Sequence, residues 1–195
     1  MALIQSFDLR DMSDAVDVPI PDSTTSVKMR RLHTWENGTS VMIVNFPTGW
    51  SRPIEGSYAC AEEFLVFEGE IEMSGDVISA GVHTWVPPHS LRLGARTPHG
   101  AVALAWFYGK TDWNRRVGDE GIISQVCTQI AGTTHGEIRR NGSDSIAGST
   151  IKPALGAFTS EKEYEVIDIG KREWSLFAPG HVFTCGEKEI VRLST

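Results

Sequence analysis

Two short apolar runs, each cut off by turn residues, set the limits on what this chain can fold into: Glu62-Glu63-Phe64-Leu65-Val66-Phe67-Glu68-Gly69-Glu70 and Gly81-Val82-His83-Thr84-Trp85-Val86-Pro87-Pro88-His89. Both are rich in β-branched and aromatic residues, and Gly69 and Pro87-Pro88 end them, so both read as strands. Between them, Ile71-Glu72-Met73 and Ser74-Gly75-Asp76 read as the return strand of a hairpin with a glycine turn, followed by Val77-Ile78. Upstream, Val27 to Leu32 and Ser40 to Phe46 flank Asn37-Gly38, the signature of a two-residue hairpin turn. Downstream, Ala101 to Tyr108 carries no charge and reads as a buried strand that closes the set. Strand pairs joined by Gly and Pro turns predict an all-β chain built on a small antiparallel barrel.

The rest of the chain is organised around this centre. Residues 1 to 26 hold five aspartates, Asp8, Asp11, Asp14, Asp17 and Asp22, and Pro19-Ile20-Pro21, which suit an extended N-terminal arm. Residues 27 to 110 form the expected barrel and residues 111 to 195 a C-terminal β region. Within the latter, residues 122 to 130 read as a strand or short helix, and residues 133 to 150, rich in Gly, Ser and Thr, as a long loop, either lid or linker. Glu163 and Gly170 repeat the spacing of Glu62 and Gly69, and Trp174 to His181 echoes Trp85 to His89. This leaves two readings of the last third: a degenerate second copy of the barrel unit, or an unrelated β extension.

With 195 residues and 41% apolar content the chain can bury its own core. No run is long enough for a membrane-spanning helix and the first residues lack the basic and apolar regions of a signal peptide, so no membrane partner and a cytoplasmic location are expected. A net charge of −7 argues against nucleic acid as a partner, the cluster Lys28-Met29-Arg30-Arg31 being short. Three scattered cysteines, Cys60, Cys127 and Cys185, give neither a disulfide framework nor a thiolate zinc site.

The Glu-x6-Gly of Glu62 and Gly69, followed by the Gly-x5-Pro of Gly81 and Pro87, resembles the framework of the two motifs of the cupin superfamily. The resemblance implies a cupin barrel, that is, a double-stranded β-helix or jelly roll. It also extends to the Glu-Glu-x-Leu-Val-x-Glu-Gly strand of acetylacetone-cleaving dioxygenases and to anti-sigma-factor-type cupins. In that family the first motif supplies two histidines and a glutamate to a metal, and the second supplies one more histidine. Here the histidine positions fall on Gly56 and Tyr58, or Glu55 and Ser57, and on Arg92, leaving Glu62 alone in register. The expectation is therefore no cofactor, with a divalent Fe, Zn or Ni held by Glu62, His83 and His89 as the alternative. Because barrel edges are commonly paired between subunits, a homodimer is expected.

On an alternating strand Glu62 shares a face with Phe64 and Val66 and points into the cup, where a carboxylate needs a partner. Arg92 can supply it, either as a buried pair that merely fills the vacated site or as a fixed cation for an anionic or enolate oxygen. In the second case Glu62 moves protons with a pKa raised by burial, and Tyr58 donates a proton or hydrogen bond. Those three are the candidate catalytic residues. Trp50, Phe64, His83, Trp85 and Trp106 are the candidate substrate-binding residues, suiting a small, anionic or aromatic ligand, and Cys60 reads as an apolar filler.

Three functions fit these residues. A metal-independent isomerase, cyclase or lyase would use acid and base chemistry in the cup. A metal-dependent cupin dioxygenase would cleave a diketone or aromatic ketone. A non-enzymatic ligand-binding or sensor module would need only the cavity.

Overall fold

The structure, a computed structural model, describes residues 3–118, 121–130 and 139–194. Among these residues every regular element is a strand, as the Gly and Pro punctuation requires, and no helix is long and apolar enough to cross a membrane.

Two compact units emerge, one of residues 12–128 and the other of residues 1–11 with 129–195. The first strand, β1 (Leu3–Asp8), belongs to the second unit. The first unit holds β2 (Val16–Val18), β3 (Val27–Thr34), β4 (Thr39–Phe46), β5 (Trp50–Arg52), β6 (Gly56–Tyr58) and the long β7 (Glu62–Met73). It continues with β8 (Asp76–Ser79), β9 (Val82–Val86), β10 (Ala95–Thr97), β11 (Ala101–Tyr108), β12 (Trp113–Arg115) and β13 (Val126–Gln129). Its main sheet runs β13-β9-β7-β11-β4-β3-β2, with β5, β8 and β10 attached along β7 and one another, and β6 pairs with β12. The second unit adds β14 (Arg139–Arg140), β15 (Ser149–Pro153), β16 (Gly156–Phe158), β17 (Tyr164–Asp168), β18 (Glu173–Phe177), β19 (Phe183–Cys185) and β20 (Glu189–Ser194). Its sheet runs β1-β18-β17-β20-β15-β14.

The two orders match strand for strand. β7 lies between β9 and β11, followed by β4 and β3, while β17 lies between β18 and β20, followed by β15 and β14. A second cupin-like unit therefore accounts for the last third better than an unrelated extension does. The unit boundaries lie elsewhere than at 26/27 and 110/111. The expected N-terminal arm is divided: β1 adds to β18 at the edge of one sheet, and β2 adds to β3 at the edge of the other. Both additions cover a strand edge that would otherwise present unpaired backbone groups. Of the loop expected over residues 133–150, residues 133–138 lie outside the described residues, and the remainder carries β14 and the start of β15.

The Asn37-Gly38 hairpin forms, but as a three-residue loop in which Gly38 and not Asn37 takes positive φ, at 83°, the Trp35 N–H bonding to the Thr39 carbonyl at 2.8 Å and the Gly38 N–H to the Trp35 carbonyl at 3.0 Å. The reading around Gly69 needs correction. Gly69 does not end its strand; it takes φ 67° and lets β7 continue to Met73, so the return strand is β8 and the turn is Ser74-Gly75, both at positive φ. The local signal misled because a glycine bulge and a glycine turn look alike in sequence. A side chain at 69 would collide with the Gly100 carbonyl. The Gly69→Ala variant is expected to lose about 1–3 kcal/mol of stability, the usual cost of a non-glycine residue held in a strained backbone region, read as a lowered urea midpoint; an unchanged midpoint would contradict this account of β7.

Candidate functional site

Alternation along β7 decides which side chains reach the cup. Glu62, Phe64 and Val66 share a face, and across the ladder Phe64 and Val66 oppose Ala105 and Ala103 of β11. These small partners leave space, and the cavity that results encloses about 70 Å³. Its walls are mostly apolar, with Met29, Phe46, Phe64, Ile71 and Met73 prominent, and its polar groups come from Trp50, Arg52, Tyr58, Glu62 and Arg92.

Arg92 stands on the segment after β9, held there by paired backbone bonds between its own N–H and carbonyl and those of Gly56 on β6. The side chain is 2% exposed, and its Nη2 donates to Glu62 Oε2 at 2.6 Å. Its ring partner is Tyr58, whose centroid lies 4.6 Å from the guanidinium carbon. Burial pulls the Arg92 guanidinium below its ordinary pKa, and the adjacent Glu62 charge opposes that. Removing Glu62 would therefore strand a buried cation.

Arg52, at the end of β5, is the residue that sequence reading missed, because residues 47 to 53 look like a simple turn. It is 5% exposed and donates from Nη1 to the Tyr58 hydroxyl at 3.0 Å, with its guanidinium carbon 3.9 Å from the Trp113 ring centroid. Trp113 in turn donates from Nε1 to Asp22 at 2.8 Å, and Arg115 also pairs with Asp22. The signal available in the sequence was the alternation Trp50-Ser51-Arg52, which puts Trp50 and Arg52 on one face. Arg115 is 70% exposed whereas Asp22 is 10% exposed and also feels the charge of Arg52, so Asp22 and Glu62 together offset the buried guanidinium groups of Arg52 and Arg92, with Glu62 the acid on the cavity wall. Two buried donors there, Arg92 Nη1 and Trp50 Nε1, have no hydrogen-bond partner. Burial outweighs the neighbouring cations at Tyr58 and raises its pKa, so its hydroxyl keeps the proton. Cys60 is pushed up to about 11 by burial and then by Glu62, which makes it a packed thiol rather than a nucleophile.

The candidate residues thus divide. Glu62, Tyr58, Arg92, Trp50 and Phe64 come together around one cavity. His83, Trp85 and Trp106 do not: the register pairs His83 with Leu65, and both Trp85 and Trp106 with Glu63, which places all three on the opposite face of the sheet. There His83 Nε2 and Glu63 Oε1 lie 3.0 Å apart, and Tyr108 donates to Glu63 Oε2 at 2.6 Å. Counting alternation from Glu62 across the ladder, rather than grouping aromatic residues by motif, would have excluded them as ligand contacts. The alternative metal set also fails to converge, since His83 is on that far face and His89 is exposed on a turn at φ 60°.

The donor chemistry does not fit the metal that the fold's relatives imply. Among the described residues no group of three His, Cys, Asp or Glu side chains is placed to hold an ion. Glu62, the one acid in the cup, is committed to Arg92, and Arg52 adds a second positive charge that would repel a cation. At Gly56, where the family has a histidine, a Cβ would lie 2.5 Å from Trp113 Cζ2, so the indole fills that space.

A wider opening of about 550 Å³ shares Ile20, Met29, Tyr58 and Phe107 with the cup and is lined by Val18 to Pro21, Arg31 and Lys110. It supplies an approach from solvent to the Tyr58 side of the cavity.

No sequence-family model matches the chain, and no curated protein sequence does. Solved structures do resemble it. A candidate dioxygenase from Nostoc punctiforme aligns with a TM-score of 0.73 and 12% identity, over 98% of this chain and 82% of that one. Ylba from E. coli aligns with a TM-score of 0.59 and 12% identity, over 96% and 88% of the respective chains. A cupin 2 conserved barrel domain protein from Leptotrichia buccalis gives 0.58 and 9%, over 100% and 98%. At these identities the likeness establishes the fold, and the fold is the cupin fold.

Two outcomes test this site. Glu62→Ala is expected to destabilise the protein by about 3 kcal/mol, the lower part of the range for breaking a buried pair, because Glu62 keeps 15% exposure; the double variant Glu62→Leu, Arg92→Met should recover most of that loss in urea titrations, and failure to recover would show that the pair is not the unit. Gly56→His is expected to lower the urea midpoint by about 1–3 kcal/mol through overpacking on Trp113 and to bind no added zinc, whereas a stable, zinc-binding variant would contradict the packing.

Proposed function

We propose that the cup of the first unit is the working site of a small-molecule enzyme that moves protons without a metal ion, of the isomerase, cyclase or lyase kind. What supports this reading most is one observation: a carboxylate, a protonated phenol and a guanidinium with a spare buried N–H line the same small cavity. In the proposed reaction one of the two N–H groups of Arg92 Nη1 receives a substrate carbonyl oxygen and stabilises the negative charge that grows there as an enolate forms, leaving the other N–H for a second oxygen of the substrate. Glu62 accepts the proton that leaves the adjacent carbon, through Oε1, the oxygen not bonded to Arg92. Tyr58 then returns a proton to the enolate at a second atom, with Arg52 holding its hydroxyl in place, and the proton on Glu62 passes by way of solvent to the Tyr58 phenolate, which restores both groups. The bond moved is thus a carbon–hydrogen bond, and no electrons leave the substrate.

The likeness to the Nostoc protein supports a second reading, a dioxygenase, but it bears on fold and leaves the donor set unexplained. The third reading, a binding module, would use the same spare donors without turnover.

The discriminating measurement is hydrogen–deuterium exchange at carbon, followed by NMR for a panel of small oxo acids in deuterated buffer. The wild-type protein should catalyse exchange of at least one of them with or without chelator, and Glu62→Gln should slow it by at least about 100-fold, the usual contribution of a positioned acid or base. Undiminished exchange by Glu62→Gln would overturn the role of Glu62, and oxygen uptake that depends on added iron would favour the dioxygenase.

A further inference from the structure

The charges and donors around the cup say what kind of ligand it is built to take, provided that the cup is the working site. Arg92 and Arg52 are both at least 95% buried, and Glu62 is the carboxylate that lines the cavity with them among the described residues. The cavity wall itself thus carries two cations and one anion in a chain whose overall charge is −7. A guanidinium stays charged when buried, so this wall favours acceptors and negative charge. A ligand with a single negative charge is favoured there over a neutral one, and a dianion brings more charge than the wall offers.

The spare donors agree. Arg92 Nη1 and Trp50 Nε1 are N–H groups on residues 2% and 3% exposed, both lining the cavity, and neither has a partner in the protein. A buried donor left unmade costs about 1–3 kcal/mol, so two of them in one cavity point to an acceptor that the protein itself does not supply. Trp50 cannot turn to find one easily, since its ring packs edge-on against Phe46 with centroids 4.9 Å apart. A carboxylate offers two acceptor oxygens and one charge. The remaining wall is hydrocarbon, and about 70 Å³ limits the ligand to a handful of heavy atoms. The side opening adds Arg31, an exposed cation on the way in.

We infer that the cup takes a small monocarboxylate with a short hydrocarbon body, its two oxygens received by Arg92 Nη1 and Trp50 Nε1 and its body lying on Phe64, Ile71 and Met73. The substrate of the proton-transfer reaction is then an oxo acid of this size, the carboxylate fixing the orientation in which a carbon–hydrogen bond meets Glu62.

Calorimetric titration of the intact protein with butyrate, butyramide and succinate tests this. Butyrate is expected to bind, with butyramide and succinate each at least about tenfold weaker, the lower end of what a hydrogen bond to a charged group contributes. Trp50→Phe keeps the ring and removes the N–H, and should weaken butyrate about tenfold while leaving the weak butyramide binding unchanged. Glu62→Gln should keep or strengthen butyrate binding even where carbon exchange is lost, so a failure of the proton-transfer reading and a failure of this one are told apart. Equal binding of butyrate and butyramide, full affinity in Trp50→Phe, or no heat with any of the three would overturn the inference, the last meaning that water alone satisfies the two donors.

Discussion

The structure of the cup depends on the ion pair between Arg92 and Glu62. A guanidinium 2% exposed has to be matched, and Glu62 is the carboxylate that β7 delivers to that point, 2.6 Å away. Phe64 and the two alanines of β11 opposite β7 leave room, and the charged groups make that room polar at one end. Removing either partner alone leaves an unmatched charge in a dry place, which is why the two residues act as one structural unit. Arg52 then adds a second cation to the cavity wall.

The same strand performs a second, separate task on its other face. Glu63 follows Glu62 directly, yet alternation sends it across the sheet, where its carboxylate meets His83 and Tyr108. One acid faces the cavity and the other a buried histidine and a tyrosine on the far side of the sheet. The two units show a related contrast. Their strand orders coincide, but the interior of the second is filled by Tyr164, Phe158, Phe177 and Phe183 stacked and edged against one another. Its buried pair, Glu165 with Arg192 and Trp174, is saturated by internal bonds.

Much of the barrel was legible in the sequence because its signals are local. The Asn37-Gly38 turn, the uncharged strand ending at Tyr108 and the inward direction of Glu62 each follow from a few adjacent residues. What was not legible depended on pairing across distance. Gly69 looks like an ending until Gly100 is placed against it, and Arg52 looks like part of a turn until β5 pairs with β10. His83, Trp85 and Trp106 fell on the wrong face because their side of the sheet is fixed by register with β7, which composition does not reveal. The division of the N-terminal arm between two sheets is likewise a matter of partners, since β1 and β2 differ little from any short exposed strand.

The central claim is that the cup of this cupin-fold unit presents its charge to an anion. Anomalous diffraction from a crystal soaked with both manganese and a brominated propionate tests it in one experiment. A bromine peak inside the cup, with the carboxylate on Arg92 and Trp50 and no manganese beside Glu62, is the predicted result. A manganese peak on Glu62, with the bromine elsewhere or absent, would contradict the account.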